Sequence, residues 1–592
     1  MSTRQPAVTT TAPTTAIPVA APATTAIPVT APQADTWQGF HVFLHSGAED
    51  ADAFLTGFAA PLLDGLVAAG EASAWFFIRY AEGGPHLRLR VRGLDAEAAA
   101  RLPAQLARAA AEVPAVPGPW PSRHAEVRTV PYVPETDRYG GPRALPLAEE
   151  VFAHSTQAAL GALREPALSA AGPAEVAAAR LLLGVDLVHA TTYALGLDRL
   201  TAARRLRSHA SGWRWVTEVE LLPGASVHSR VNSVYAARRT GLADRARTAR
   251  QQLADGSAQP WLVRWVDRVR ASEDRLRSPD GAGLSEAESA RVWGSQLHML
   301  LNRLGVTPDE ERAVCRLAAR TLLETEEAPH FFPVGHTAAD IQYLERSKFQ
   351  IGRGEDTALR VLPPGATGPA ATATAPGTDR SPSELPLPES PLPDVSLGEV
   401  LAGRSCLRGP LTGPLDAATL GSLLWNSLSP TGTHRPYPSA GALHTARVRL
   451  LVFDVDGVPA GTYACEPERR TLRPVGPPPP LAAVQALSTY LSRPAEDPVA
   501  IGIDAAPVVL ALYADLGLLR RRYGLRALRL ALLETGHMAQ TLLLTASALG
   551  LGGTPLGGFH DDLAHELLGL DDLAQPLQYL IPLGRRPLVR AG

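Results

Sequence analysis

The chain has 592 residues, so at roughly 150 residues per domain two or more domains are expected. Hydrophobic residues make up 45% and charged residues 19%, which excludes a wholly disordered chain and suits globular folding. With 56 basic against 59 acidic residues the formal net charge is −3, which excludes an overall basic field for a nucleic-acid backbone.

Three cysteines, Cys315, Cys406 and Cys465, cannot build a disulfide scaffold or a four-cysteine zinc site, and no metal is expected. An uncharged apolar run of about 18 residues is lacking, as is a basic N-terminal segment leading into a hydrophobic stretch. A soluble cytoplasmic protein, with no membrane and no direct nucleic-acid partner, is the expectation. Lys348 is the single lysine, and arginine stays protonated, so Schiff-base and pyridoxal-phosphate chemistry are set aside.

In chain order, residues 1–36 are rich in Thr, Ala and Pro and carry a near-repeat around Thr14–Val19 and Thr24–Val29, which predicts a disordered leader. A strand is expected at Phe40–Leu44 and a helix over Ala51–Ala69. Trp75–Tyr80, a Gly83-Gly84-Pro85 turn and His86–Arg92 then predict a hairpin. Its second strand alternates strictly: Leu87, Leu89 and Val91 face a core, and His86, Arg88, Arg90 and Arg92 face the other way. Guanidinium groups on one strand face repel each other, which either a solvated basic face or an anion pocket would relieve.

Two later segments bear on that choice. Tyr132–Gly141 carries Glu135, Asp137 and Arg138 beside a Gly-Gly turn. Ser295–Arg303 places His298 and Asn302 on one face of a helix, within a helical pattern that runs from about 145 through the 320s. The three motifs, in this order, resemble the C-terminal elimination domain of lanthipeptide dehydratases, which also occurs as a stand-alone protein in thiopeptide pathways; the similarity covers about 37–325. The resemblance implies removal of glutamate from a glutamylated Ser or Thr of a precursor peptide, leaving a dehydroamino acid. It implies Arg88, Arg90, Glu135, Arg138 and His298 as glutamate-binding and catalytic residues. Arginines would stabilise the departing carboxylate, and His298 would move the proton. A separate protein using glutamyl-tRNA would then perform the glutamylation. A related branch of the fold forms a pyridine ring by formal cycloaddition, and this stands as the alternative.

A low-complexity stretch at about 363–392, including Pro363-Pro364-Gly365, reads as a linker or surface insertion and divides the chain into two folded parts. Both parts read as α+β. The second has strands at Arg447–Asp454 and Val508–Tyr513 and helices through Leu420–Ser427 and over Leu525–Leu549. Arg404-Ser405-Cys406-Leu407-Arg408 suits a phosphate, although it fits an exposed basic turn equally. Tyr437–Ala442 is a small-residue loop ahead of a strand, and Gly550, Gly552, Gly553, Gly557 and Gly558 crowd the segment after the long helix. This spacing is not G-x-G-x-x-G after a strand, so a Rossmann site is excluded.

Together with Leu580–Pro587, these segments resemble the nitroreductase-like azoline dehydrogenases of thiazole/oxazole-modified peptide pathways, over about 336–592. That resemblance implies FMN as cofactor and oxidation of thiazolines or oxazolines to azoles. It places the phosphate on Arg404, Ser405, Arg408 and Arg585 and the flavin on Pro438, Ser439, Gly441, Gly557 and Gly558. Where the family carries a Lys-Tyr pair this chain has Arg522-Tyr523, ahead of Glu534-Thr535-Gly536-His537. Arginine is no neutral base, so Tyr523 becomes the candidate for proton removal, with Arg522 beside it. The two halves together resemble the bifunctional proteins of lactazole-like thiopeptide pathways. The implied partners are a ribosomal precursor peptide, a cyclodehydratase and a second copy of the chain; a non-catalytic scaffold role is the alternative for the C-terminal half.

Overall fold

The computed structural model describes residues 36–168, 172–213, 220–324, 339–348, 384–406, 411, 415–432, 434–494, 497 and 499–585. The Thr/Ala/Pro-rich start up to residue 35, most of the Pro-rich stretch, Arg408 and the end of the Leu580–Pro587 motif lie outside them. Mixed helix and strand run through the molecule, as the α+β reading expects. It divides into two compact units between Val133 and Pro134, inside the stretch expected to be one elimination domain.

The first unit comprises β1 (Trp37–Phe43), α1 (Ala48–Phe54), α2 (Ala60–Ala68), β2 (Ala74–Tyr80), β3 (His86–Arg92), α3 (Ala96–Ala111) and β4 (Val127–Pro131). The strands form one antiparallel sheet in the order β2-β3-β1-β4. The helix expected over Ala51–Ala69 forms with one π-turn, Leu55–Ala59, between α1 and α2. By length and apolarity Ala48–Ala68 would suffice to cross a membrane. Here one face of it packs on the core: Phe54, Leu55, Leu63 and Leu66 are buried, and Asp64 accepts a 2.8 Å hydrogen bond from Trp75 Nε1 of β2.

The second unit opens with seven helices: α4 (Leu145–Leu163), α5 (Pro173–Ala194), α6 (Arg199–Gly212), α7 (Gly224–Asp255), α8 (Pro260–Arg277), α9 (Glu286–Leu304) and α10 (Pro308–Leu323). Helices α9 and α10 begin with reciprocal capping boxes, Ser285/Glu288 and Thr307/Glu310, and Gly305 ends α9 at φ +84°. Those stops fix where each helix starts its turn, and so which residues face each other.

Next come α11 (Ala339–Arg346), β5 (Leu385–Pro386), α12 (Leu397–Gly403), β6 (Leu415–Asp416), α13 (Ala417–Leu428), β7 (Ala446–Val452), β8 (Val455–Asp456), β9 (Gly461–Glu466) and β10 (Thr471–Gly476). The chain closes with α14 (Leu481–Gln485), β11 (Val508–Ala514), α15 (Leu516–Tyr523), α16 (Ala527–Ala548), β12 (Leu551–Gly553), α17 (Asp561–Leu568) and β13 (Leu577–Arg585). Seven strands form a sheet in the order β12-β13-β11-β7-β9-β10-β5. Strand β11, an inner strand between β13 and β7, is buried along its whole length, as the unbroken apolar run Val508–Tyr513 requires. Helices α13 and α16 pack Leu420, Leu424, Trp425, Met538 and Leu542 into one core with Leu450, Leu510 and Ile581 of the sheet.

The helical part and this sheet are joined inside the same unit. Glu566 of α17 is buried; it meets His228 Nε2 of α7 at 2.6 Å and Arg312 Nη2 of α10 at 3.2 Å, and it also pairs with Arg316. Burial pushes the Glu566 carboxyl up, but His228, Arg316 and Arg312 outweigh it and hold it down at about 2.

Candidate functional site

On β3 the alternation works as the sequence predicts: Leu87, Leu89 and Val91 are buried in the core. The opposite row is not a solvated face, because Arg90 is only 8% exposed. Gly39 of β1 lies across from Arg90, and a Cβ there would sit 2.8 Å from Arg90 Nη1 and 2.5 Å from the Val130 carbonyl. Glycine therefore makes the space that the guanidinium occupies. Arg90 donates from Nη1 to the Leu89 carbonyl at 3.1 Å, and its Nη2 lies 3.3 Å from His41 Nε2. Burial, then the Arg88 charge, lowers Arg90 to about 10. Burial, then Arg90 and Arg88, lowers His41 to about 4, so His41 is neutral and accepts from Arg90. Arg88 lies 3.3 Å from the Tyr80 ring centroid and donates from Nε to His86 at 3.1 Å. Its carboxylate neighbour, Glu82, is 3.6 Å away and mostly exposed. Ring faces and imidazoles, rather than buried carboxylates, hold these cations, which leaves their charge available to an anion.

In the second unit Arg138 and His298 line one cleft of about 700 Å³, together with Asp137, His209, Trp213 and Ser295. Arg138 donates to Glu135 at 2.9 Å and from Nε to Ser295 Oγ at 3.2 Å, which ties the segment before α4 to α9. Gly140 and Gly141, at φ +85° and +89°, make the turn that follows. His298 donates from Nδ1 to Glu311 Oε2 of α10 at 2.8 Å. His209 of α6 meets the other oxygen, Oε1, at 2.6 Å, and Trp213 Nε1 donates to it at 3.1 Å. The Glu311 side chain is 1% exposed. Burial pushes its carboxyl up, but hydrogen bonds from His209 and His298 hold it at about 2, so it is an ion. A carboxylate on Nδ1 leaves the His298 Nε2 lone pair free to take a proton, beside a guanidinium able to hold an anion.

The structure thus brings Glu135, Arg138 and His298 together and places Arg88 and Arg90 together on β3 of the other unit. Sequence reading did not single out Glu311, His209 or Trp213. Glu311 stands in Asp309-Glu310-Glu311, an acidic first turn that reads as complement to the helix dipole.

In the C-terminal sheet the predicted flavin residues fall into three groups. Ser439 donates to buried Glu534 of α16 at 2.8 Å and accepts from the His444 amide at 2.8 Å. Thr445 Oγ1 and the Ala446 amide also donate to Glu534, so this carboxylate pins the whole turn before β7. Pro438 offers its carbonyl to His537 at 3.4 Å. Gly441 has φ +59°, and a Cβ on it would lie 2.5 Å from the Tyr523 hydroxyl and 3.3 Å from Arg522 Cζ. The loop and the end of α15 thus meet over a glycine. In the second group Arg404 leaves α12, Cys406 bridges Gly553 in parallel sense, and Leu551 pairs with Arg585. Strand β12 consequently has Arg404 and exposed Ser405 on one side and Arg585 on the other, with Arg585 3.5 Å from Asp416. In the third, Gly558 gives its carbonyl to Ser488 Oγ at 2.6 Å and leaves 3.6 Å to the Tyr490 ring, with Gly557 before it.

Residues 37–322 match the family described as lantibiotic biosynthesis dehydratase C-term, and residues 401–585 match the nitroreductase family. The Methanocaldococcus jannaschii protein MJ1384, named as a nitroreductase, is 31% identical over 210 residues, 34% of this chain and 96% of that protein. The microcin B17-processing protein McbC of Escherichia coli is 32% identical over 164 residues, 26% of this chain and 57% of McbC, so the chain spans little more than half of that relative. The tRNA-dependent lantibiotic dehydratase MibB from Microbispora is 22% identical with a TM-score of 0.37, over 50% of this chain and 28% of MibB. Through its C-terminal half the chain belongs to the nitroreductase family of oxidoreductases, and it carries ahead of that domain the C-terminal domain of the lantibiotic dehydratases.

Proposed function

We propose that the chain is a bifunctional tailoring enzyme of ribosomally made peptides, a thiopeptide-type eliminase joined to an azoline dehydrogenase. One activity removes glutamate from glutamylated Ser or Thr to leave dehydroalanine or dehydrobutyrine. The other oxidises thiazoline or oxazoline to the aromatic azole with FMN. The observation that carries the first is His298 held by an ionised, buried Glu311 in a cleft that also presents Arg138. His298 Nε2 takes the Cα proton, and Arg138 offsets charge on the departing carboxylate. The family resemblance adds Arg88 and Arg90 of the first unit as glutamate-binding residues, where the Tyr80 ring and His41 meet their guanidiniums.

For the oxidation, two guanidiniums and a hydroxyl around β12 suit a phosphate dianion, and Gly441 lets the Tyr523 hydroxyl and Arg522 lie directly against the small-residue loop. The residues present fit FMN, which when bound would supply the hydride acceptor. Arg404, Ser405 and Arg585 would hold its phosphate, and Pro438, Ser439, Gly441, Gly557 and Gly558 would flank its ring. Tyr523 would take the azoline proton, with Arg522 beside its ring at 5.6 Å. Similarity to a microcin-processing protein supports a peptide substrate. The implied partners are a glutamyl-tRNA-dependent glutamylation protein, a cyclodehydratase and a second copy of the chain.

Intact mass spectrometry of a glutamylated, thiazoline-bearing precursor tests both activities at once. Loss of glutamate and loss of two mass units per thiazoline are expected. A peptide that keeps its glutamate removes the first activity, and one that keeps its thiazolines removes the second.

A further inference from the structure

The cleft holds two histidines on one carboxylate: Glu311 holds His298, and His209, on its other oxygen, has no part in the elimination proposed above. His298 gives Nδ1–H to Oε2 and His209 gives Nε2–H to Oε1. An ionised carboxylate only accepts, so both bonded nitrogens must carry hydrogen, and the tautomers are opposite. The nitrogens left over are His298 Nε2 and His209 Nδ1. His209 Nδ1 lies 3.5 Å from where a Cβ on Gly294 would stand. Gly294 is one helical turn before His298 and lines the same cleft, so its missing side chain leaves that nitrogen open. The Trp213 indole takes a further lone pair of Oε1, and its ring meets His298 edge-on at 5.0 Å. Both rings are thereby held in place.

We propose that His209 is a second proton-transfer group of the elimination site and that Glu311 is the positioning residue that orients both histidines and stabilises one proton between them. The inference rests on the reading of this cleft as an eliminase site. One carboxylate offsets one imidazolium, and two adjacent cations would repel, so the proposed reactive state has one imidazolium and one neutral imidazole on Glu311. In the reactive state His298 is neutral and His209 is protonated. His298 Nε2 takes the Cα proton, and the C–H electron pair becomes the Cα=Cβ bond. The Cβ–O bond breaks with its electrons on glutamate, whose carboxylate receives the Nδ1 proton of His209. The total charge of the pair is unchanged, and exchange with water in the open cleft restores the starting state.

The other charges facing the pair are Arg138 and Asp137 from the segment before α4, Glu135 on Arg138, Arg205 of α6 and Arg291 of α9. Behind Glu311 lies the buried Cys315 thiol, pushed up first by burial and then by Glu311, so it stays neutral. Arg205 is paired to Glu286 at 2.9 Å, which leaves Glu311 as the buried anion in direct contact with both imidazoles.

The test is the pH dependence of glutamate release from a glutamylated peptide by the full-length protein. It is combined with NMR titration of histidine C2–H signals, which needs no turnover. The wild-type profile is expected to be bell-shaped, one limb for loss of the pair's proton and one for gain of a second. His209→Asn should lower the rate roughly 10²–10⁴-fold and abolish the alkaline limb. In Glu311→Gln the anion is gone, both imidazoles lose a group that favoured their cations, and both titrations and the whole bell move to lower pH. Glu311→Asp should move them back toward the wild-type position. A wild type that releases no glutamate overturns the eliminase reading and the proposal with it. A wild type that releases glutamate with a single-limbed profile, or histidine titrations unmoved in Glu311→Gln, overturns the proposal alone.

Discussion

At the scale of single residues, charge is managed by rings and glycines as much as by ion pairs. Arg90 fits because Gly39 has no side chain, and Arg88 rests on Tyr80. The strand's arginines were legible from strict alternation, whereas Glu311 and His209 were not: they stand 13 residues after His298 and 102 residues before Glu311, on different helices. His298→Ala or Arg88→Ala is expected to slow glutamate release roughly 10²–10⁴-fold while azoline oxidation continues; mass spectrometry should show glutamylated peptide accumulating. In the other half, an ionised hydrogen bond contributes about 1.5–3 kcal/mol, so Arg404→Ala should weaken FMN binding about tenfold or more in a fluorescence titration. Tyr523→Phe should keep flavin bound, since the ring and its contact with Arg522 remain. It should slow azole formation, leaving thiazoline two mass units heavier than the product.

At the scale of elements, each helix that carries a site residue is stopped and started by local chemistry. Ser285 begins α9 with a capping box and Gly305 ends it, which fixes His298 on the cleft side. Thr307 does the same for α10 and Glu311. Ser285→Ala should cost about 1 kcal/mol of stability, read as a lower urea midpoint. The effect on elimination should be small, because His298 lies three turns further on. The helix expected over Leu525–Leu549 forms as Ala527–Ala548 after a short turn of 3-10 helix, Gly524–Arg526. Gly524 caps α15 at φ +54°, so the glycine that ends one helix delays the next.

For the whole molecule, the compositional boundary and the contact boundary differ. The Pro-rich stretch predicts two halves able to work apart. Yet Glu566 of the C-terminal half is buried against His228, Arg312 and Arg316, and Arg204 and Arg207 pair with Asp571 and Asp572. Arg312 follows Glu311 directly, so one turn of α10 serves the cleft on one side and this network on the other. Removing one partner of a buried ion cluster costs roughly 3–5 kcal/mol, because the remaining charges are left buried. Glu566→Ala is therefore expected to lower the thermal midpoint of both activities together, measured by inactivation of each. Loss of one activity with the other unchanged would show that the network holds only its own side.

What the sequence determined by itself was local or periodic. The alternating arginine strand, the capped helices, the buried run of β11 and the two family resemblances all follow from residues close together in the chain. Tertiary structure alone decided which distant residues share a carboxylate. Glu311 between His298 and His209, Glu534 beneath Ser439, and Glu566 between two helices of the preceding half each pair residues far apart or on separate elements. A buried carboxylate is chosen by the cations and donors that folding brings to it, and no spacing along the chain encodes that meeting.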